Sequence, residues 1–168
     1  MNNKSFKIRI GILGASGYTG SELVKLAIMH PFIEIVFLSS ERYEGWSIHE
    51  IFPHLKGVKL PKLSKVDTLF NQNLSLDVIF CCLPHSTSQK IVKKIFKEIK
   101  FTQKTRVIDL SADFRISNPQ NYEQIYGKEH IATVLQKKAV YGLTEIYRSK
   151  IKDSELIACP GCYPTAVL

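Results

Sequence analysis

A cysteine set between a Pro-Gly turn and an apolar run is where a thiolate nucleophile would be built, because the free amides of a helix N-terminus stabilise negative sulfur. Residues 158–167 have that composition: Ala158-Cys159-Pro160-Gly161-Cys162-Tyr163-Pro164-Thr165-Ala166-Val167. Taken alone, a cysteine is more often core filling than chemistry. Upstream stands a second group, Gly11-Ile12-Leu13-Gly14-Ala15-Ser16-Gly17-Tyr18-Thr19-Gly20. Here Gly14 allows a tight turn, Gly17 lets backbone approach a pyrophosphate, and Ser16, Tyr18 and Thr19 complete the candidate contacts. A third group, Ser111-Ala112-Asp113-Phe114-Arg115, puts an acid and a guanidinium two residues apart. Either the two pair, or Arg115 is free to hold a carboxylate or phosphate; spacing does not choose.

The elements that must position these groups follow from periodicity. Phe6 to Leu13 reads as a β-branched strand, Glu22 to His30 as a helix stopped by Pro31, and Ile33 to Leu38 as a second strand. Strand, glycine turn and helix come in the order a dinucleotide site requires. After the second strand, Ser39, Ser40 and Arg42 suit a ribose 2′-phosphate and favour NADP. Glu41 is the counter-argument, since a carboxylate there accepts ribose hydroxyls in an NAD site. Residues 45–66 read as a short helix and extended pieces on a sheet edge, with His49 and His54 near no cysteine or paired acid and no metal site implied. Leu76 to Leu83 is a strand covered on both faces, with Cys81 and Cys82 as core filling. Pro84 and His85 follow at its carboxyl end, where open α/β sheets bind ligands; His85 is either a plain loop residue or a cofactor-side contact. Next comes a helix with a solvated lysine face (Lys90, Lys93, Lys94, Lys97, Lys100), then a strand from Thr105 to Leu110. Asn118 to His130 reads as a polar surface excursion with Pro119 at a helix start. A short strand at Val140, a helix N-capped by Thr144, a polar break at 149–153 and a last strand from Glu155 to Ala158 deliver the chain to Cys159. The expected fold is α/β, a Rossmann-like doubly wound parallel sheet. Residues 1–150 would form the NADP-binding domain, and 151–168 the start of a second, α+β catalytic domain.

Composition is consistent with this. The 168 residues are 45% hydrophobic and 23% charged, typical of one globular domain. The net charge of +8 raises nucleic acid as a partner, but eighteen of the twenty-three basic residues are lysines, scattered without aromatic interleaving, which points to solvated surface. No apolar stretch approaches the roughly 20 residues of a membrane span, and the short polar residues 1–7 are no signal peptide. Adjacent Cys81 and Cys82 suit no disulfide framework, so a reducing cytoplasm is expected.

Read together and in order, the glycine turn, Leu83-Pro84-His85, Val107-Ile108-Asp109-Leu110-Ser111-Ala112-Asp113-Phe114-Arg115, Tyr141-Gly142-Leu143 and Pro160-Gly161-Cys162-Tyr163-Pro164-Thr165 resemble the N-acetyl-gamma-glutamyl-phosphate reductases. The resemblance implies an NADP-dependent enzyme of arginine biosynthesis in which Cys162 attacks an acyl phosphate, with Arg115, Gly161 and Tyr163 on the substrate side. Two residues depart from the family's usual pattern: Cys159 stands where asparagine is usual, and Thr144 where proline is usual. The second thiol suggests a Cys159–Cys162 disulfide that silences the enzyme under oxidation. Family members also continue for about another domain, which would carry the general-base histidine and the homo-oligomer surface. None of His30, His49, His54, His85 or His130 has that histidine's context, so this chain is expected to bind NADP with little turnover. Competing readings are an aspartate-semialdehyde dehydrogenase-like enzyme or a reductase of carrier-bound aminoadipyl or glutamyl phosphate, a Cys-x-x-Cys redox or zinc protein, and a non-catalytic NADP-binding regulator.

Overall fold

The computed structural model describes residues 6–99 and 105–168. The chain divides into two compact units between Cys82 and Leu83. In the first, strands β1 (Ile8–Leu13), β2 (Ile33–Ser39), β3 (Leu63–Ser64) and β4 (Val78–Cys81) lie parallel in the order β3-β2-β1-β4. The chain therefore moves outward from β1 through β2 to β3, then returns to the other side of β1 with β4. That reversal makes the carboxyl end of β1 a topological switch point, the place where open α/β sheets take ligands. Helix α1 (Tyr18–Met29) is the crossover from β1 to β2, and buries Ser21, Val24 and Ala27. Ile10, Ile12, Leu38 and Leu63 form the core of this unit with Val24, Ile48 and Leu55. Residues 45–66 hold helix α2 (Ile48–Ile51), a 3₁₀ turn (Pro53–Leu55) and edge strand β3, as expected. His49 and His54 are exposed. A short helix, α3 (Thr68–Asn71), precedes β4.

The second unit carries α4 (Ser88–Glu98), β5 (Arg106–Asp109), α5 (Pro119–Tyr126), α6 (Thr133–Lys138), β6 (Val140–Tyr141), α7 (Thr144–Lys152), β7 (Leu156–Ala158) and α8 (Cys162–Val167). Its strands are parallel in the order β5-β7-β6. On α4, Val92 and Ile95 are fully buried while Lys90, Lys93 and Lys97 are exposed, the amphipathic division expected from the sequence. Lys100 lies outside the described residues. No helix among the described residues is long and apolar enough to cross a membrane.

Four local expectations are corrected. Helix α1 starts at Tyr18 rather than Glu22, because Gly17 is its N-cap and the turn feeds directly into it. Asn118 caps α5 through bonds from the Gln120 and Asn121 amides, yet 118–130 is no mere surface excursion: Tyr122 and His130 are fully buried. Thr144 is the first residue of α7 and Leu143 its cap, and no side chain caps the helix. The polar stretch 149–153 does not break the chain, since α7 runs through it to Lys152 with a kink at Tyr147; charged residues on an exposed helix face mimic a loop in composition.

Candidate functional site

The glycine turn is built from backbone bonds and one buried hydroxyl. Gly14 has φ +81°, a conformation that favours glycine, and its carbonyl accepts from the Gly17 amide at 3.1 Å. The next strand holds the turn from beneath: Ser39 Oγ accepts from the Gly14 amide at 3.1 Å and the Ser39 carbonyl from the Ala15 amide at 2.8 Å. Gly20, the last residue of the glycine group, sits so close that a Cβ would lie 2.3 Å from the Gly14 carbonyl oxygen. It is the third glycine of the fingerprint, needed for close helix–strand packing. Helix α1 then begins with no side-chain cap and no acid in its first turn. An uncapped helix N-terminus behind a glycine turn is a ready anion site, so the residues present fit a dinucleotide pyrophosphate.

At the end of β2, the hydroxyls divide by role. Ser39 is wholly buried beneath the turn, whereas Ser40 Oγ meets Ser16 Oγ at 2.7 Å and accepts from the Tyr43 amide. Glu41, the residue that would favour NAD, uses one carboxylate oxygen to accept from the Val66 amide at 3.0 Å. Arg42 is exposed, with its guanidinium 5.2 Å from the Tyr43 ring centroid. Tyr18 and Thr19 are exposed at the start of α1.

In the second unit, the loop after β4 is fixed by two buried carboxylates. Asp113 accepts from the Ser86 amide (2.8 Å), the Gln89 amide (2.9 Å) and the Tyr122 hydroxyl (2.7 Å). Asp109 accepts from the Ser88 and Ser111 hydroxyls. Burial raises the Asp109 pKa, against the pull of those hydroxyls, and burial plus the Asp113 bond raises that of Tyr122. The same carboxylate holds Ser86 at φ +66°, a left-handed conformation uncommon outside glycine. Pro84 and His85 are exposed on this loop, and His85 Nδ1 accepts from the Ala112 amide at 2.9 Å, which leaves its Nε2 to carry the proton of the neutral ring.

The two cysteines are placed differently. Cys162 is exposed and is the first residue of α8, with Gly161 as N-cap, while Cys159 is half-buried behind β7. Burial, reinforced by Asp109 and opposed by Arg115, pushes the Cys159 thiol up to about 11, so it stays protonated at neutral pH. Both thiols are free. Arg115 forms no ion pair with Asp113 among the described residues; it donates through Nε to the Cys159 carbonyl (2.7 Å) and through Nη2 to the Leu110 carbonyl (3.0 Å). Gly161 lies against that guanidinium, and Tyr163 is 81% exposed.

The buried polar set Asp109, Asp113, Tyr122 and His130 escaped attention as a unit. Its one visible signal was a pair of acids at the end of an apolar strand, since Tyr122 and His130 are distant in sequence and meet only in the fold.

Comparison with known proteins agrees with this geometry. The chain is 48% identical over 161 residues to "Probable N-acetyl-gamma-glutamyl-phosphate reductase, chloroplastic" of Arabidopsis thaliana, covering 95% of this chain and 38% of that protein. It is 48% identical over 159 residues to an N-acetyl-gamma-glutamyl-phosphate reductase of Afipia carboxidovorans, covering 95% and 44%. The chain thus spans less than half the length of these relatives. Among solved structures, an aspartate semialdehyde dehydrogenase with NADP from Candida albicans superimposes with a TM-score of 0.62 at 16% identity, covering 94% of this chain and 44% of that one, and shares the fold. Residues 9–154 match the family model "Semialdehyde dehydrogenase, NAD binding domain". The glycine turn before an uncapped helix, at the switch point of a parallel sheet, lies within the matched residues, and the chain belongs to the semialdehyde dehydrogenase NAD-binding family.

Proposed function

We propose that this chain is the nucleotide-binding and nucleophile-bearing part of an N-acetyl-gamma-glutamyl-phosphate reductase that uses NADPH, acts in a reducing cytoplasm-like compartment, and takes a small acyl phosphate rather than nucleic acid. The observation that carries it is Cys162, exposed at the first position of α8 directly behind Gly161, beside a second cysteine held as a thiol. The Cys162 thiolate attacks the acyl carbonyl and phosphate leaves with the electron pair of the broken C–O bond, giving a thioester. When bound, NADPH supplies the hydride that brings this thioester to the aldehyde level. The Cys162 and Tyr163 amides of the first turn of α8, where Pro164 has none, are the backbone donors that would stabilise the developing negative charge. The domain division expected at residue 150 and a homo-oligomer belong to the longer protein of this reading.

NADP is favoured over NAD because Glu41 is engaged with the Val66 amide while Arg42 is exposed just beyond the end of β2. Trp46, 48% exposed after the same loop, reports binding by fluorescence. Arg42→Ser should weaken NADP binding about tenfold, the worth of one charge-assisted bond, and leave NAD binding unchanged. Tighter binding of NAD than of NADP by the unmodified chain would overturn the assignment. Incubation with acetyl phosphate should place an acetyl group on Cys162, read by peptide mass; acetylation confined to other residues would remove Cys162 from the nucleophile's role.

A further inference from the structure

The end of the β5–β7 ladder shows what Arg115 does. The strands pair from Val107 with Leu156 to Asp109 with Ala158, and one more bond follows, from the Cys159 amide to the Asp109 carbonyl at 2.8 Å. The pairing of β5 with β7 ends there. The Cys159 carbonyl, the next acceptor on that edge of β7, takes Arg115 Nε at 2.7 Å, and Nη2 of the same guanidinium reaches the Leu110 carbonyl just past β5 at 3.0 Å. The planar fork thus joins the two chain segments where the strand pairing stops. A Cβ on Gly161 would lie 3.3 Å from Arg115 Nη1 and 3.9 Å from Cζ, so the absent side chain at 161 is where the guanidinium fits. The Gly161 carbonyl, in turn, accepts from the Thr165 amide (3.2 Å) and hydroxyl (2.9 Å), which ties it to the first turn of α8.

We propose that Arg115 is a positioning residue, a clasp across the ends of β5 and β7 that holds residues 159–161 in place and so fixes the start of α8 and Cys162. This replaces the substrate-anion role expected from the sequence, and it rests on the reading of Cys162 as the nucleophile. Arg115→Lys keeps the charge but cannot span two carbonyls with a planar fork.

Two acyl donors separate clasp from anion ligand: acetyl phosphate, which is anionic, and p-nitrophenyl acetate, which is neutral. With peptide-resolved mass spectrometry, Arg115→Lys should slow acylation of Cys162 by both donors by a similar factor, roughly tenfold, as misplacement of a reacting group does. A loss confined to acetyl phosphate, or no loss, overturns the clasp. Amide hydrogen exchange at residues 162–165 gives a readout independent of acylation. It should quicken in Arg115→Lys, and unchanged exchange overturns the proposal. If the unmodified chain is acylated at Cys162 by neither donor, the nucleophile reading fails and exchange still decides on the clasp. Gly161→Ala, which presses a methyl on the guanidinium, should quicken the same amides, and adding it to Arg115→Lys should change them little further. Independent, additive effects would show that the two residues do not act through one contact.

Discussion

Two helices that begin just beyond strand ends, α1 and α4, treat their N-termini in opposite ways. At α1 no side chain caps the helix and no acid sits in the first turn. At α4 no local side chain caps either, but Asp113 reaches in from far along the sequence to accept from the Ser86 and Gln89 amides, and Asp109 takes the Ser88 hydroxyl. The same backbone positive end is left open in one unit and filled with buried carboxylates in the other. The buried polar residues follow the same division. Among the described residues, the buried polar side chains of the glycine-turn unit are the hydroxyls of Ser21, Ser39 and Ser40, whereas the other unit also buries two carboxylates, an imidazole and two amide side chains. An open helix start is a place to bind an external anion; a filled one is scaffolding that fixes a loop.

The sharpest way to break the open end is to fill its turn. Gly20→Ala brings a methyl to 2.3 Å from the Gly14 carbonyl oxygen and 2.7 Å from the Ala15 Cα, both backbone atoms that cannot rotate away. A loss of about 3 kcal/mol or more is expected from overpacking against backbone, read in chemical denaturation, with loss of NADP binding. By contrast, Gly17→Ala meets only the Gly14 carbonyl oxygen at 3.5 Å and should leave the fold standing. Equal stability losses at the two glycines would mean that Gly20 has no special packing role.

The filled end breaks by removing its acceptor. Asp113→Ala strips the Ser86 amide, the Gln89 amide and the Tyr122 hydroxyl of one shared partner in a fully buried place. Leaving buried donors unpaired costs about 1–3 kcal/mol each before relaxation, and water entry should reduce the sum to about 2–3 kcal/mol. Thermal or denaturant unfolding measures it. A change below about 0.5 kcal/mol, the range of ordinary surface substitutions, would show that the carboxylate is not what caps α4.

How much of this was legible follows from the range of each interaction. The β1–α1–β2 unit, its glycine turn and the placement of Cys162 at a helix start are local, and strand periodicity, Gly14 and the Pro160-Gly161 step sufficed to expect them. The orientation of Arg115 was not legible, because its partners are backbone carbonyls, which every residue has and no sequence pattern marks. Spacing left open whether Asp113 pairs with its neighbour Arg115, whereas its partners lie at Ser86, Gln89 and Tyr122. The continuation of α7 through 149–153 was missed for a different reason: lysine and serine on an exposed helix face look like loop residues in composition.

The smallest effect is a pH dependence within the second unit. His130 is 1% exposed and makes two bonds that define its state: Nε2 lies 2.9 Å from the Asp113 carbonyl, and Nδ1 accepts from the Ala132 amide at 3.1 Å. The ring is therefore neutral with the proton on Nε2, and a second proton would face the Ala132 N–H. Phe114 and Tyr122 close the ring edge-on, with centroids 5.2 and 5.0 Å away. Burial lowers the His130 pKa, against the opposing pull of the Asp113 carbonyl and charge. The unfolded chain then binds a proton near pH 6.5 that the folded chain refuses until lower pH. Between those two values the unfolded state holds more protons, so stability falls as pH drops below about 6.5, with a slope of at most about 1.4 kcal/mol per pH unit. Asp109 acts with the opposite sign: its raised pKa means that the folded state holds more protons above 3.8, which adds stability as pH falls through its own window. Comparing unfolding free energies of the unmodified chain and His130→Phe from pH 7.5 to 5.0 cancels the Asp109 contribution. The variant loses two hydrogen bonds at every pH, so the difference should be largest at pH 7.5 and shrink steadily on acidification. A difference that stays constant across the range would show that His130 takes up its proton as readily folded as unfolded, and that the scaffold around Asp113 does not exclude charge.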